Sequence, residues 1–144
     1  MNADMTSSSG SLVGQHAIVT GAARGIGAAI ATALAQAGAR VTILGRARAK
    51  LESHVHTLGH GANAIICDVT DEKAVASAFQ KAGATQILVN NAGQAKSEKF
   101  TNTTREIWDR MLSANLTSTY LCIQAVLPAM LTAGSGRIVN VASI

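Results

Sequence analysis

The 144-residue chain is 48% hydrophobic and 14% charged, which excludes an intrinsically disordered chain and is enough apolar sequence for a buried core. The formal net charge is +4, and the basic residues form only one local cluster, RARAK at 46–50. A nucleic-acid-binding module usually concentrates its basic residues on one face or in a run, so this distribution favours an anionic small molecule as partner. No uninterrupted apolar stretch approaches the ~18 residues of a membrane-spanning helix, so no membrane segment is expected.

The first eleven residues, MNADMTSSSGS, predict a disordered polar leader, because they have neither the basic nor the apolar region of a signal peptide. Residues 12–144 are then the expected domain. Cys67 and Cys122 belong to no CxxC pair and the four histidines are dispersed, so we expect no metal site. Two isolated thiols are typical of a reducing, cytoplasmic setting.

Short apolar runs alternate along the chain with segments of helical periodicity. The runs predict five strands, at 15–20, 40–45, 63–69, 86–90 and 137–144. The intervening segments predict helices at 25–38, near 47–58, at 70–83 and from about 103 to 130. Such alternation indicates right-handed crossovers and a parallel sheet covered on both faces. We therefore predict an α/β fold with a doubly wound parallel sheet (a Rossmann fold), truncated after a fifth strand that is itself apolar enough for burial on both faces.

Two helix starts are predicted from their capping residues. Thr70 is expected to cap the third helix, whose first turn carries Asp71 and Glu72. Thr103 and Glu106 have the spacing of a capping box and predict the start of the long fourth helix. These side chains would satisfy backbone N–H groups that have no partner within the helix.

The segment TGAARGIG, residues 20–27, is called the glycine turn below. It lies between the first strand and the first helix, where glycine lets the backbone approach a pyrophosphate and the helix N-terminus offers free N–H groups. A merely tight β–α turn is the alternative, but the position of the motif favours dinucleotide binding. The residues expected to line the phosphates are Gly21, Ala23, Arg24, Gly25, Ile26 and Gly27.

The end of the second strand predicts which dinucleotide binds. An acidic residue there would hold the adenosine ribose diol of NAD(H), but this chain has Gly45 followed by Arg46. Arg24 in the glycine turn is a second guanidinium for a 2′-phosphate. A charge pair near 4 Å is worth about 1 kcal/mol in water and about 4 kcal/mol at an effective dielectric of 20. The sequence therefore predicts NADP(H) in preference to NAD(H), the alternative being that Arg46 is solvated surface.

The glycine turn, NNAG at 90–93, and Asn115 with Ser143 together resemble the classical short-chain dehydrogenases/reductases over residues 13–144, and most nearly their 3-oxoacyl reductase branch. The resemblance implies hydride transfer between a nicotinamide and a small ketone, secondary alcohol or 3-oxoacyl thioester. It also implies a homo-oligomer, formed through the long helix and the helix that would follow it.

The same resemblance implies roles outside the glycine turn. The residues that would contact the adenine and the nicotinamide-side ribose are Asp68 and Val69, and Asn91, Ala92 and Gly93. Asp68 has the alternative role of a helix N-terminal charge, and Asn90 would brace the central strands. Asn115, expected to be buried in an apolar helix stripe, would hold a water in a proton relay or be satisfied by backbone. Ser143 would orient and polarise the substrate carbonyl.

The acid/base of the family is a tyrosine with a lysine four residues later, placed after the active-site serine. The single tyrosine here, Tyr120, precedes Ser143 and is followed four residues later by Gln124. We therefore expect a cofactor-binding part of a reductase that is inactive alone and has an open apolar edge beside its fifth strand. The alternative is a truncated, non-enzymatic fragment that binds a dinucleotide or a partner.

Overall fold

The computed structural model describes residues 10–59 and 61–143. The leader predicted at residues 1–11 lies outside the described residues except for Gly10 and Ser11. Within the described ranges the chain forms five strands: β1 His16–Thr20, β2 Arg40–Gly45, β3 Asn63–Ile66, β4 Ile87–Asn90 and β5 Arg137–Asn140. The α-helices are α1 Gly25–Gln36, α2 Arg48–Leu58, α3 Glu72–Ala82, α4 Arg105–Leu112 and α5 Ser118–Ala133.

The five strands form one parallel sheet in the order β3-β2-β1-β4-β5. The chain builds outward from β1 through β2 to β3, then returns to the other side of β1 for β4 and β5. This reversal leaves a crevice outside the carboxyl ends of β1 and β4, which is where open α/β sheets bind ligands. The predicted doubly wound fold is confirmed.

Two apolar clusters cover the opposite faces of the sheet. Successive side chains of a strand point to opposite faces, so Val19 of β1 joins one cluster and its neighbour Ile18 joins the other. Helices α1 and α2 cover the first face, with Leu51 fully buried there. Helices α3 and α5 cover the second, through residues that include Phe79 and Val126. Strand β1 is buried along its whole length, so the crevice at its carboxyl end lies directly above the packed core.

The third helix begins one residue later than predicted. Asp71, not Thr70, is its N-cap, and the Asp71 carboxylate accepts hydrogen bonds from the N–H groups of Lys73 at 2.9 Å and Ala74 at 3.0 Å. Thr70 instead donates its hydroxyl to Asp68 at 2.7 Å. Aspartate and threonine both cap well, and the turn closed by Asp68 decides which of the two is placed at the helix end.

The fourth helix is also displaced by one residue from the capping prediction. Thr104, not Thr103, is the N-cap, and its hydroxyl accepts from the Ile107 N–H at 3.2 Å. Glu106 therefore lies too early in the helix to complete a capping box, and it pairs with Arg110 at 2.9 Å instead. The predicted capping box is wrong, although a threonine still starts the helix.

Helices α4 and α5 are joined by a π-helical turn at Ser113–Thr117, so one helix runs from Arg105 to Ala133. It is 29 residues long, and an 18-residue stretch within it has a mean hydropathy of 1.4, so it is long and apolar enough, by length and composition only, to cross a membrane. No uninterrupted apolar run within it approaches 18 residues, because Ser, Thr, Asn and Gln residues interrupt it, so the absence of a membrane-spanning segment stays a prediction. One such helix is weak evidence for a span, since the core helix of a globular protein meets the same criteria.

Strands β3 and β5 differ from their predictions. The regular pairing of β3 ends at Ile66, because the next residues turn toward α3 after a last hydrogen bond from the Cys67 N–H to the Gly45 carbonyl at 2.9 Å. Strand β5 was expected to be buried on both faces, but Val139 is 49% exposed and Val141 38% exposed. Within the described residues β5 is an edge strand paired with β4, which agrees with the open apolar edge that was also predicted.

Candidate functional site

A cleft of about 720 Å³ lies at the carboxyl ends of β1 to β4, in the crevice where the strand order reverses. Eleven of the twelve residues predicted to bind the cofactor line it. They are Gly21, Ala23, Arg24, Gly25, Ile26, Arg46, Asp68, Val69, Asn91, Ala92 and Gly93. Residues from four separate βα connections therefore meet at one place, as their positions at the ends of parallel strands predict.

Gly27 is the twelfth predicted residue and does not line the cleft. It is buried in the first turn of α1, and a Cβ placed there would overlap the side-chain amide nitrogen of Asn91 and the carbonyl of Gly21. Its role is thus to let α1 pack closely against the ends of β1 and β4. The prediction of a phosphate-lining role for Gly27 is corrected to this packing role.

The two glycines of the glycine turn that line the cleft have a left-handed backbone conformation. Gly21 and Gly25 have φ of +67° and +58°, which side-chain-bearing residues rarely adopt. A Cβ at Gly25 would meet nothing within 4 Å, so the cleft is open directly in front of it. Arg24 is the N-cap of α1 and its side chain makes no capping hydrogen bond. The N-terminus of α1 therefore presents backbone N–H groups and the positive end of its dipole to the cleft.

Thr20 is the last residue of β1 and the first of the glycine turn, and it links this turn to the NNAG segment. It was not among the predicted site residues. Its hydroxyl oxygen is buried and accepts hydrogen bonds at 3.0 Å from the N–H groups of both Asn91 and Ala92. The Asn91 side chain in turn donates to the carbonyls of Thr20 and Gly21, each at 3.2 Å. Asn91 thus lines the cleft, but its amide holds the turn in place.

Asn90 was predicted to brace the central strands, and it joins β4 to the edge strand β5. Its side-chain amide donates to Oδ1 of Asn140 at 2.9 Å, and these two residues stand opposite each other in the β4–β5 register. Asn90 is 4% exposed, and this pairing satisfies its amide nitrogen, while its Oδ1 is buried without a hydrogen-bond partner among the described residues. The pairing fixes the strand ends on which the neighbouring cleft residues depend.

Three cationic side chains and one carboxylate line the cleft. Arg24 and Arg46 were predicted, and Lys50 is a third cation from the first turn of α2. Asp68 is the one acidic residue among those that line it, so the charges sum to +2. The RARAK cluster was the available signal for Lys50, since it places a third cation four residues after Arg46, in the first turn of α2.

Asp68 is held in a fixed orientation by Thr70. Its Oδ1 accepts from the Thr70 N–H at 3.0 Å and from the Thr70 hydroxyl at 2.7 Å. The backbone hydrogen bond, then the hydroxyl bond and the charge of Arg46, lower the pKa of this carboxyl below its ordinary value. Asp68 is therefore ionised at neutral pH, and part of its negative charge is stabilised by the two hydrogen bonds from Thr70 in its own loop.

Asn115 lies in the π-helical turn and is exposed, not buried in an apolar stripe as predicted. Its Oδ1 accepts from the Gln94 N–H at 2.9 Å, and its amide donates to the carbonyls of Gln94 at 2.9 Å and Met111 at 3.0 Å. Both polar groups of the Asn115 side chain are therefore bonded to backbone, and its part in a proton relay stays a prediction. The π-helical turn changes the helix phase at this point, which explains why a regular helical stripe misplaced this residue.

Ser143 lies three residues beyond the end of β5, at the carboxyl edge of the sheet, and is exposed. Neither Ser143 nor Asn115 lines the cleft, although Ala114 does. The two residues predicted to be catalytic thus lie outside the cleft that the predicted cofactor residues form. Their catalytic roles stay predictions.

The two cysteines are free and buried. Burial raises the pKa of the Cys67 thiol to about 11 and that of Cys122 to about 12, so both are protonated at neutral pH and neither is an activated nucleophile. Among residues 10–59 and 61–143, no group of three or more His, Cys, Asp or Glu side chains is placed to hold a metal ion.

The chain is similar to known proteins in both sequence and structure. A model of the short chain dehydrogenase family matches residues 15–144. An uncharacterized oxidoreductase of Staphylococcus aureus (strain MW2) is 39% identical over 138 residues, covering 92% of this chain and 60% of the relative. A metagenomic short-chain oxidoreductase, solved in complex with NADP, is 37% identical with a TM-score of 0.87, over 92% of this chain and 64% of that one.

A solved 3-oxoacyl (acyl-carrier-protein) reductase from Agrobacterium tumefaciens C58, with NADP bound, is 33% identical with a TM-score of 0.86. That match covers 92% of this chain and 54% of the other. The present chain therefore spans a little over half the length of the proteins that it resembles.

Proposed function

The chain belongs to the short-chain dehydrogenase family, and on that premise we propose that its cleft binds NADP(H) for hydride transfer between the nicotinamide and a ketone or secondary alcohol. A 3-oxoacyl thioester is the substrate class that we propose first, because one similar structure is a 3-oxoacyl reductase. The observation that carries the proposal is the meeting of a glycine turn, a helix N-terminus and three cations in one cleft.

The glycine turn fits the diphosphate of a dinucleotide. The space in front of Gly25 is open, and a side chain on Gly21 would press against the Ala92 backbone at 2.8 Å. An anion placed there would face the N-terminus of α1, where backbone N–H groups and the helix dipole both favour negative charge. Arg24 adds a full positive charge beside this position.

The far end of the cleft fits an adenosine bearing a 2′-phosphate. Arg46 and Lys50 supply two cations beside Gly45, at the end of β2 where an NAD(H)-binding site would carry a carboxylate. Asp68 and Val69 lie at the end of the next connection and would contact the adenine. Two of the similar structures contain NADP, which supports the same preference.

The nicotinamide end is assigned to the NNAG segment. Asn91, Ala92 and Gly93 line the cleft there, and Asn115 clamps the following residue, Gln94, through two hydrogen bonds. When bound, the dinucleotide supplies or accepts the hydride, while the protein holds it in position and handles the proton. Ser143 would orient the substrate carbonyl, and Asn115 would hold a water in the proton relay.

We propose that these 144 residues alone do not turn over substrate. The family acid/base pair is a Tyr-x-x-x-Lys sequence, and Tyr120 is followed by Gln124 at the lysine position. Nucleotide binding depends on the cleft and is expected to survive in the chain as it stands. Binding without catalysis is also what the alternative, a non-enzymatic dinucleotide-binding fragment, would show.

Isothermal titration calorimetry of the purified chain with NADPH and with NADH tests the proposal. We expect saturable binding of NADPH, weaker binding of NADH, and no NADPH oxidation when acetoacetyl thioesters or small ketones are added. Absence of binding by either dinucleotide would contradict the proposed function. Carbonyl-dependent oxidation of NADPH that purifies with the chain would contradict the proposed inactivity.

Two further properties are proposed from the same site and its surroundings. A homo-oligomer of the full-length protein is supported by exposed apolar side chains along the long helix, among them Trp108, Leu116 and Leu131. A cytoplasmic location is supported by the two unpaired thiols. Size-exclusion chromatography with light scattering, and fractionation of the source cell, test these two statements respectively.

A further inference from the structure

His54, in the middle of α2, reaches back to the glycine turn. Its Nδ1 lies 3.0 Å from the carbonyl oxygen of Ala22, and its Nε2 lies 3.3 Å from the hydroxyl oxygen of Thr32 on α1. A carbonyl can only accept, so Nδ1 must carry a proton and donate it to Ala22. One imidazole thus joins α2 both to the glycine turn and to the helix that follows this turn.

The hydrogen bond to Ala22 determines the orientation of one peptide group in the turn. In a trans peptide the C=O and the following N–H point in opposite directions, and no cis peptide occurs in the described residues. The Ala22 carbonyl is drawn toward α2, so the Ala23 N–H is turned away from α2. Ala23 lines the cleft, whereas Ala22 is fully buried. The bond therefore favours an N–H, and not a carbonyl oxygen, on the side of the turn where an anion would lie.

The rest of the turn is held by contacts to its flanks. The Gly21 N–H donates to the Leu44 carbonyl of β2 at 2.9 Å, and the side chain of Asn91, the residue after β4, donates to the Gly21 carbonyl. These contacts act at the start of the turn, next to β1. His54 acts one residue further on, at the peptide between Ala22 and Ala23, where the chain leaves the sheet.

We propose that His54 is a positioning residue for dinucleotide binding, which holds the Ala22–Ala23 peptide so that the glycine turn is preformed for a diphosphate. This inference rests on the proposed binding of NADP(H) and adds a residue outside the cleft to the binding apparatus. His54 does not line the cleft, so its effect on affinity passes through the backbone of the turn.

Two conservative variants separate the two hydrogen bonds of the imidazole. In His54→Asn the side-chain amide nitrogen can take the place of Nδ1, which keeps the bond to Ala22. In His54→Gln it can take the place of Nε2, which keeps the bond to Thr32 and loses the bond to the turn. His54→Leu removes both bonds, and His56→Gln, on an exposed position of the same helix, is the matched control.

The ligands are chosen to separate the diphosphate from the rest of the nucleotide. Calorimetric titration with NADPH and NADH measures binding that includes the diphosphate, whereas a chemical-shift titration with adenosine 2′-phosphate measures binding without it. We expect His54→Leu and His54→Gln to weaken both dinucleotides about fivefold, the scale of one lost hydrogen bond. We expect His54→Asn and His56→Gln to stay within about twofold of wild type and adenosine 2′-phosphate to be unaffected by all four substitutions.

Three results would overturn the inference. The first is His54→Gln binding dinucleotides as wild type does, and the second is His54→Asn binding as weakly as His54→Leu. The third is a parallel loss for adenosine 2′-phosphate, which would mean that the substitution damages the whole site. If wild type binds neither NADPH nor NADH, the proposed function itself fails. Wild-type binding that is insensitive to His54 would leave the proposed function intact and remove only the role of His54.

Discussion

Arg46 offers the sharpest test of the cofactor preference, because its charge can be removed without disturbing the fold. Its side chain is exposed and lines the cleft beside Lys50 and Asp68. A charge pair near 4 Å is worth about 1 kcal/mol in water and about 4 kcal/mol at an effective dielectric of 20. Since this side chain is exposed, the lower part of that range applies, at about 1–2 kcal/mol. At about 1.4 kcal/mol per factor of ten, Arg46→Gln should weaken NADPH binding roughly 5- to 30-fold.

The comparison with NADH makes this prediction specific. NADH has no 2′-phosphate, so its affinity should change less than about twofold, and the loss for NADPH should shrink as salt screens the charge. Arg48→Gln is the matched control, since Arg48 is an exposed arginine on the same segment that pairs with Glu52 at 3.3 Å and does not line the cleft. Calorimetric titrations of both dinucleotides with the three proteins give the answer. An equal loss for NADH and NADPH in Arg46→Gln would refute the assignment of Arg46 to the 2′-phosphate.

Gly27→Ala should destabilise the chain by about 1–3 kcal/mol through overpacking, and an unchanged midpoint in urea denaturation would contradict the packing role. Burial is the largest cause that lowers the pKa of His16 in the folded chain. The unfolded chain therefore takes up this proton more readily, so the stability of the fold should be highest above the unfolded pKa of about 6.5 and should decline as the pH falls below it. His16→Gln should flatten this decline in urea titrations across that pH range, and an unaltered pH profile would count against it. Asn115→Leu should speed hydrogen exchange of the Gln94 amide and weaken NADPH binding, whereas unaltered exchange would disprove the clamp.

The fold was predictable because strong local patterns agreed with each other. Each short apolar run bounded by glycine or a polar residue became a strand, and their regular alternation with helices left few possible topologies. The meeting of most of the proposed cofactor residues in one cleft was predictable for the same reason, since the ends of parallel strands must lie together. Arg46 is an example: its position directly after β2 was sufficient to place it in the cleft.

The errors arose where two local choices have nearly equal energy or where a long-range contact decides. Thr70 and Asp71 both cap helices well, and the hydrogen bond from Thr70 to Asp68 selects between them. Asn115 lies in a π-helical turn, which a regular helical period cannot represent. The role of Thr20 was not predicted, because the two N–H groups that donate to its hydroxyl oxygen belong to residues about seventy positions later in the chain.

The central claim is that the cleft binds NADP(H), and a chemical-shift titration of the isotopically labelled 144-residue chain tests it most directly. On addition of NADPH we predict saturable shifts at the amides of the glycine turn, Arg46, Asp68 and residues 91–93, with small shifts elsewhere. The shifts near Arg46 should be much smaller with NADH, while those in the glycine turn should remain. Saturable shifts confined to other surfaces, or no shifts at millimolar NADPH, would contradict the account.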